Sequence, residues 1–251
     1  MDRICALRGM RVRPDRTISG GGLLPANRPL RPRLTVNIGI TGHRAHILPP
    51  GVMDALEQAV DNVLCELREA ALRIQGADMA TFGFEPVRLR LHTPLATGAD
   101  QLAAKFAHAS GYHVRALLPF AQDEYRKDFA AGHELTEFNQ ALDAADEIVA
   151  MAGERSDLEG AYVLVGKAVI AAADILVAIW DGGEGNGPGG TAHVVDLALA
   201  SLVPVIHIAI DREHEKISTR LLVGGDAVRP IAQSLSGPDA YDALLRETLK
   251  R

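Results

Sequence analysis

Between residues 34 and 210 short strand-like runs, most of them nearly unbroken apolar and the one at Val87 alternating, are interleaved with segments of helical period. The runs are LTVNIGI from Leu34, the start of VRLRLHTPLA from Val87, YHVRALLPF from Tyr112, EIVAMAG from Glu147, ILVAIW from Ile175 and VPVIHIAI from Val203. Runs of this kind, rich in β-branched residues and bounded by Gly or Pro, are strands buried on both faces. Between the first two, Leu56, Val60, Val63, Leu67, Ala71 and Ile74 recur at steps of three and four, with Gly76 as a C-terminal stop; this is an amphipathic helix. Helices are also expected in QLAAKFAHAS, from about Leu158 to Ala173, and in TAHVVDLALASL, while the segment up to about Asn139 is polar. Alternating strands and helices with short connections specify parallel βαβ units. The expected fold is α/β, a Rossmann-like, doubly wound, mostly parallel sheet in a single domain over 34–210, with 211–251 as a C-terminal appendage that caps the sheet or an oligomer interface.

The formal net charge of -6 hides a division. Residues 1–33 carry eight arginines against Asp2 and Asp15, a balance of +6 that leaves -12 on the remainder. With Gly20–Gly22, four prolines and no sustained period, this basic arm is expected to be poorly ordered. It reads as a dispensable tail, as a stretch translated from a misplaced start codon, as a transit peptide, or as an anion-binding arm. The acidic remainder weighs against nucleic acid as the main partner. Cys5 and Cys65 cannot build a disulfide framework, and no apolar run approaches the roughly 20 residues that span a bilayer. A cytoplasmic protein, without membrane association or a secretory signal, is expected.

Ligands of open parallel sheets bind beyond the carboxyl ends of the strands, where strand order reverses. The unusual loops of this chain fall at such ends: Thr41–Arg44, Thr97–Asp100, Pro119–Phe120 and Asp181–Thr191. Gly182 to Gly190 holds six glycines in nine residues and runs into a helix at Gly189, Gly190 and Thr191. Free N–H groups and the positive helix end there suit a phosphate; a flexible surface turn is the plainer alternative. The run is neither GxGxxG nor a Walker motif, which leaves a nicotinamide dehydrogenase and a P-loop ATPase unsupported. Arg44 is a candidate phosphate or ribose clamp, or else an exposed salt-bridging arginine. His43 is a spacer or a ligand contact. Thr97 and Asp100 fit a capping box or contact the ligand. Trp180 stacks on a base or plugs the sheet end, next to Asp181. Tyr162 and Lys167 lie five apart on one helix and carry little weight. The histidines lack metal-binding spacing, and no serine elbow is present, so neither a metal, a cofactor nor a catalytic residue is assigned. Asp211, Glu213, His214 and Glu215 read as a solvated charge run.

Taken in order, GITGHR, ATGADQLAA, LPF followed by DEYRKDF, AADILVAIWDG, GPGGTAHVVDLA and VPVI resemble the SLOG superfamily of Rossmann-like domains. That group includes the Smf DNA-processing proteins, the Lonely Guy cytokinin-activating hydrolases, and sensors of signals related to ADP-ribose. The resemblance covers about residues 34–210 and implies a ligand site at the first and second strand-end loops and the GGT loop. Lonely Guy hydrolases carry PGGxGTxxE, whose Glu takes part in cleaving the N-glycosidic bond. Here the run is GPGGTAHVV, and Val194 stands three residues after Thr191. Valine can neither supply a proton nor stabilise an oxocarbenium ion.

The leading expectation is a non-catalytic sensor of a nucleotide or an ADP-ribose-like ligand. Its contacts would be Thr41, Gly42, His43, Arg44, Thr97, Gly98, Asp100, Phe120, Trp180, Asp181, Gly182, Gly189, Gly190 and Thr191. Ligand binding would act through a homo-oligomer and an effector protein. One alternative is a nucleotide N-glycoside hydrolase in which Asp100, Asp181 or Glu184 replaces the missing Glu. Another is an Smf-like DNA-binding protein that uses the arginine-rich arm.

Overall fold

The computed structural model describes residues 31–184, 187–224 and 231–250. The basic arm up to residue 30 and Gly185–Asn186 of the Gly-rich loop lie outside the described residues. All six apolar runs become strands: β1 (Thr35–Gly42), β2 (Arg88–Thr93), β3 (His113–Leu118), β4 (Glu147–Ala150), β5 (Ile175–Trp180) and β6 (Val205–Asp211). Two further strands, β7 (Lys216–Val223) and β8 (Ile231–Ser234), complete an eight-stranded sheet of order β4-β3-β2-β1-β5-β6-β7-β8. Every pair from β4 to β6 is parallel, and β7 and β8 are antiparallel.

The helices cover both faces. α1 (Met53–Ala77), α2 (Ala99–Ala109), α3 (Gln122–Tyr125) and α4 (His133–Ala144) follow the strands that run outward from β1 to β4. α5 (Leu158–Ala172) carries the chain back to β5, and α6 (Thr191–Ala200) leads to β6. β5 shows why its sequence is continuously apolar. Ile175, Val177 and Ile179 enter the core shared with α1 and α2, whereas Leu176, Ala178 and Trp180 enter the core shared with α5 and α6. Because the chain moves outward from β1 through β4 and then restarts at β5 on the other side of β1, strand order reverses between β1 and β5. The crevice for a ligand therefore opens there.

Helix α1 buries Leu56, Val60, Val63, Leu67, Ala71 and Ile74 as its periodicity predicts, and ends one residue beyond Gly76. The polar segment before Asn139 is itself helical: α4 buries only Phe138 and Leu142, a stripe too narrow to stand out among charged neighbours. The last of the expected strands, VPVIHIAI, ends at Ile210, and β7 lies beyond it. β7 alternates exposed and partly buried residues before burying Leu221 and Leu222, a pattern that follows a charged turn and is easily taken for loop. Helix α7 (Pro238–Thr248) then returns to α1, where Asp242 pairs with Arg73 at 2.7 Å and Tyr241, Leu244 and Leu245 join the core of α1 and α2. Among the described residues no helix is long and apolar enough to cross a membrane.

Candidate functional site

A cavity of about 610 Å³ opens at the C-terminal ends of β1 and β5. Its floor is the end of β1, with Thr41, Gly42, His43 and Arg44 on the wall. The turn after β1 is held by two backbone bonds: His43 N–H donates to the Ile179 carbonyl (2.9 Å), and the His43 carbonyl accepts from Ala99 N–H (3.1 Å) at the start of α2. The second loop is packed directly on the first. Gly98 has φ 90°, and a Cβ there would lie 2.5 Å from the Ala45 nitrogen and 2.6 Å from the His43 carbonyl oxygen. Likewise a Cβ on Gly42 would strike Ala99 and the Ile179 carbonyl. These glycines let two strand-end loops touch. Gly42 still lines the cavity, whereas Gly98 lies behind the first loop.

The expected capping box at the head of α2 is not formed. Gly98 is the residue that precedes the helix, without a side-chain cap, and the Asp100 carboxylate reaches back to Ala96 N–H at 3.2 Å. The left-handed backbone at Gly98 moves the helix start one residue past Thr97, which is buried away from the cavity. Asp100 does line the cavity. Burial pushes its carboxyl up to about 7, against the opposing effects of the Ala96 N–H and Arg44. It is thus a carboxyl that gains and loses its proton near neutrality.

Arg44 lies over the ring of Tyr162, 5.9 Å from the centroid, within cation–π range. Among the described residues it makes no ion pair. Tyr162 donates a short hydrogen bond to Asp128, whose other oxygen pairs with Arg155 at 2.8 Å. Burial and Asp128 push the Tyr162 phenol up to about 12, so it remains a neutral donor. Tyr125 of α3 completes this aromatic wall. Phe120 stands behind it, edge-on to Tyr162 at 6.1 Å, and does not reach the cavity.

The opposite wall is built from the end of β5. Trp180 stacks on His207 with centroids 3.9 Å apart, so one face of the indole is occupied, and its Nε1–H donates to the Gly183 carbonyl at 3.2 Å. Burial pushes His207 down to about 4. The neutral ring donates from Nε2 to the Trp180 carbonyl (3.0 Å) and accepts at Nδ1 from Arg220 (3.1 Å), which fixes its tautomer. Trp180 both plugs the sheet end and presents an edge to the cavity. Asp181 pairs with Arg212 at 2.8 Å and accepts from Gly183 N–H at 3.0 Å, with the His43 ring 3.2 Å away. Burial alone would raise the Asp181 carboxyl, but these partners hold it below the usual carboxylate range. Burial also lowers His43, whose Nε2 accepts from the Asp181 N–H at 3.3 Å and from Arg212 at 3.2 Å.

The Gly-rich loop closes the cavity at the head of α6. Gly189, with φ 80°, approaches α5 so closely that a Cβ would lie 2.8 Å from that of Tyr162. Its N–H donates to His193 Nδ1 at 2.8 Å. Gly190 precedes the helix without a side-chain cap, and Gly190, Thr191 and Ala192 line the cavity. The first N–H groups of α6 are therefore available to a ligand. Val194, three residues after Thr191, faces the cavity from the same helix. Gly182 lies outside the cavity, 3.6 Å from His207 and 3.8 Å from Arg220 as measured from an added Cβ.

Of the residues expected at the site, Thr41, Gly42, His43, Arg44, Asp100, Trp180, Asp181, Gly189, Gly190 and Thr191 line one cavity. Thr97, Gly98, Phe120 and Gly182 lie around it. Tyr125, Tyr162 and Arg212 also line it. The first belongs to the DEYRKDF motif; Arg212 was hidden in the charge run after β6.

No family model matches the chain, and no curated protein matches it. Solved structures do. DNA processing protein A from Helicobacter pylori, described in connection with its binding of single-stranded DNA, aligns at a TM-score of 0.50 and 14% identity over 84% of this chain and 81% of that one. DNA processing protein A from Streptococcus pneumoniae aligns at 0.46 and 14% identity over 72% of this chain and 52% of that one. This chain thus spans about half the length of the Streptococcus protein. The Moco carrier protein of Chlamydomonas aligns at 0.41 and 16% identity over 86% and 99%. The Helicobacter likeness shows the fold alone: it shares with this chain a Rossmann-like α/β arrangement, the fold class the sequence implied. The expectation that nucleic acid is an unlikely partner finds no support in the Helicobacter likeness.

Proposed function

We propose that the cavity binds a nucleotide or a nucleotide-derived anion related to ADP-ribose, and that the chain is a ligand-responsive binding domain. The observation that carries this reading is convergence. The uncapped start of α6 and Arg44, which has no ion-pair partner among the described residues, line one cavity at the β1/β5 reversal of strand order. A helix N-terminus and a half-buried guanidinium give a phosphate both backbone and charge-assisted donors. The cavity's 610 Å³ lies within the range of small-molecule sites. Tyr162, Val165 and Val194 supply an apolar flank for a ribose or base. Val194 supports binding without hydrolysis.

The test is calorimetry of the full chain with AMP, ADP and ADP-ribose, with Gly190→Asp alongside. The expected result is binding of at least one of the three, and its loss in Gly190→Asp without loss of the folded state, because the new carboxylate occupies the phosphate position. Binding unaffected by Gly190→Asp would move the site elsewhere, and absence of binding by all three would overturn the ligand class.

One observation favours a hydrolase as the second reading. Asp100, at the cavity wall, holds a proton near neutrality, as a general acid for N-glycosidic cleavage must. Asp181 does not suit that role, since its partners keep it ionised. Chromatography of the same mixtures separates the readings: release of free base or ribose phosphate that disappears in Asp100→Asn supports the hydrolase, and intact ligand supports the binding domain.

A further inference from the structure

A second cationic locality lies on the α5 side of the sheet, toward the N-terminal ends of β2 and β3 and away from the cavity. Leu89, Leu91, Val114 and Ala116 point into the core of α1 and α2, so the alternate residues Arg88, Arg90, His92, His113 and Arg115 point to the opposite face. The register sets Arg90 beside His113 and His92 beside Arg115. Helix α5 crosses this face toward β5, with Val169 and Ala173 against Gly39, and Arg88 and His113 remain exposed. Like charges set side by side across strands repel one another.

The counter-charge present is small. Glu147 pairs with Arg115 at 3.0 Å, and Asp174 is engaged with the backbone and side chain of Asn37. Among the described residues Arg88, Arg90 and His113 form no ion pair. Two polar atoms at the centre of the cluster are buried without a hydrogen-bond partner among the described residues: Arg115 Nε and His92 Nδ1, the latter on a side chain 2% exposed. Burial, then Arg115 and Arg90, push His92 down to about 4, with Glu147 opposing and His113 adding to the effect. Arg88 and Arg90, without ion pairs among the described residues, and a guanidinium N–H of Arg115 without an acceptor leave this face with more donors and positive charge than it has acceptors.

We propose that Arg88, Arg90, His113 and Arg115 form a second site, distinct from the cavity, for a compact phosphate-bearing small molecule. The guanidinium forks of Arg90 and Arg115, on neighbouring strands, match the oxygens of a phosphate or diphosphate. Arg90, His113 and Arg115 span two strands, about 5 Å, by two residues along a strand, about 7 Å, which is the extent of one or two phosphates, and Arg88 lies a further two residues along β2 at its rim. No Phe, Tyr or Trp of β2 or β3 lies on this face, so the broad stacking platform that holds single-stranded nucleic acid is lacking.

The experiment is titration of the full chain with inorganic pyrophosphate, read by calorimetry and by the arginine Nε–H resonances. The variants are Arg90→Gln, Arg90→Gln with His113→Gln, and the cavity variant Gly190→Asp. Arg90 makes no ion pair within the described residues, so its replacement leaves the folded state intact. In phosphate-free buffer it should raise the melting temperature by relieving repulsion. Affinity at this site should fall about tenfold or more in Arg90→Gln, fall further in the double variant, and persist in Gly190→Asp. Equal affinity in Arg90→Gln, loss in Gly190→Asp, or no perturbation of the Arg115 resonance at millimolar pyrophosphate would each overturn the proposal. So would an oligonucleotide that binds more tightly than pyrophosphate in an Arg90-dependent way, which would make this face a nucleic-acid surface.

Discussion

Gly98 and His43 are in direct backbone contact: the place a Cβ would take on Gly98 lies 2.6 Å from the His43 carbonyl oxygen, and that oxygen accepts the first N–H of α2. The two strand-end loops that flank the cavity therefore hold each other in position. Gly98→Ala meets both a left-handed φ of 90° and a backbone clash. It should cost roughly 1–3 kcal/mol of unfolding free energy and weaken ligand binding although residue 98 does not line the cavity. Urea unfolding and calorimetry on the same variant check both effects. Unchanged stability would mean that the loops are not locked together.

Asp100 makes a second measurable property of the cavity wall. Its carboxyl is raised from the ordinary 3.8 to about 7, so the folded state holds the proton more tightly than the unfolded state. Its stabilising contribution is complete below about pH 4 and is lost as pH rises through about 7, on the order of 3–4 kcal/mol over the window. His92 and His207, both lowered to about 4, act in the opposite direction between 4 and 6.5. The difference between the parent and Asp100→Asn isolates the carboxyl. Urea unfolding at pH 5 and pH 8 should show the variant less stable than the parent at pH 5 relative to their difference at pH 8. A pH-independent difference would remove Asp100 from the set of titrating groups.

Much of this was legible from the sequence because strand burial is encoded locally. ILVAIW is apolar at every position and LTVNIGI at every second one, and the loops that follow them are placed by the parallel topology alone. β7 was not legible, since one side of that strand is exposed and its alternation begins inside a charged turn. Arg212 belongs to the site through a partner 31 residues earlier, Asp181, and that contact arises only when β5 and β6 pair side by side. The TGAD helix start failed as a capping box for a tertiary reason: contact with His43 selects Gly98, and not Thr97, as the residue before the helix. A local pattern cannot contain that contact.

The only tryptophan of the chain reports on the far wall. Trp180 is stacked on His207 at 3.9 Å, and burial holds that imidazole neutral down to about 4. Because the folded pKa lies below the ordinary 6.5, the neutral ring contributes stability that is complete above 6.5 and is lost as pH falls toward 4. Protonation quenches the adjacent indole. Trp fluorescence should thus fall with a midpoint near 4 rather than 6.5, before the acid unfolding transition, and His207→Gln should abolish that step. A midpoint near 6.5 would show an imidazole open to solvent.

Arg44 supplies the sharpest test of charge in the cavity. Its guanidinium lies 5.9 Å from the Tyr162 centroid and lines the cavity with Gly190 and Thr191. Arg44→Gln keeps much of the volume and some hydrogen-bonding capacity but removes the charge. A charge-assisted bond to phosphate contributes about 1.5–3 kcal/mol, so affinity for a phosphorylated ligand should drop roughly 10- to 150-fold. Tyr162→Phe removes only the hydroxyl that donates to Asp128, leaves the ring beneath Arg44, and should weaken binding by much less. An unphosphorylated nucleoside should bind the parent and Arg44→Gln alike. If the nucleoside loses as much affinity as the nucleotide, Arg44 positions the wall and does not meet the phosphate, and the α6 N-terminus must hold the anion alone.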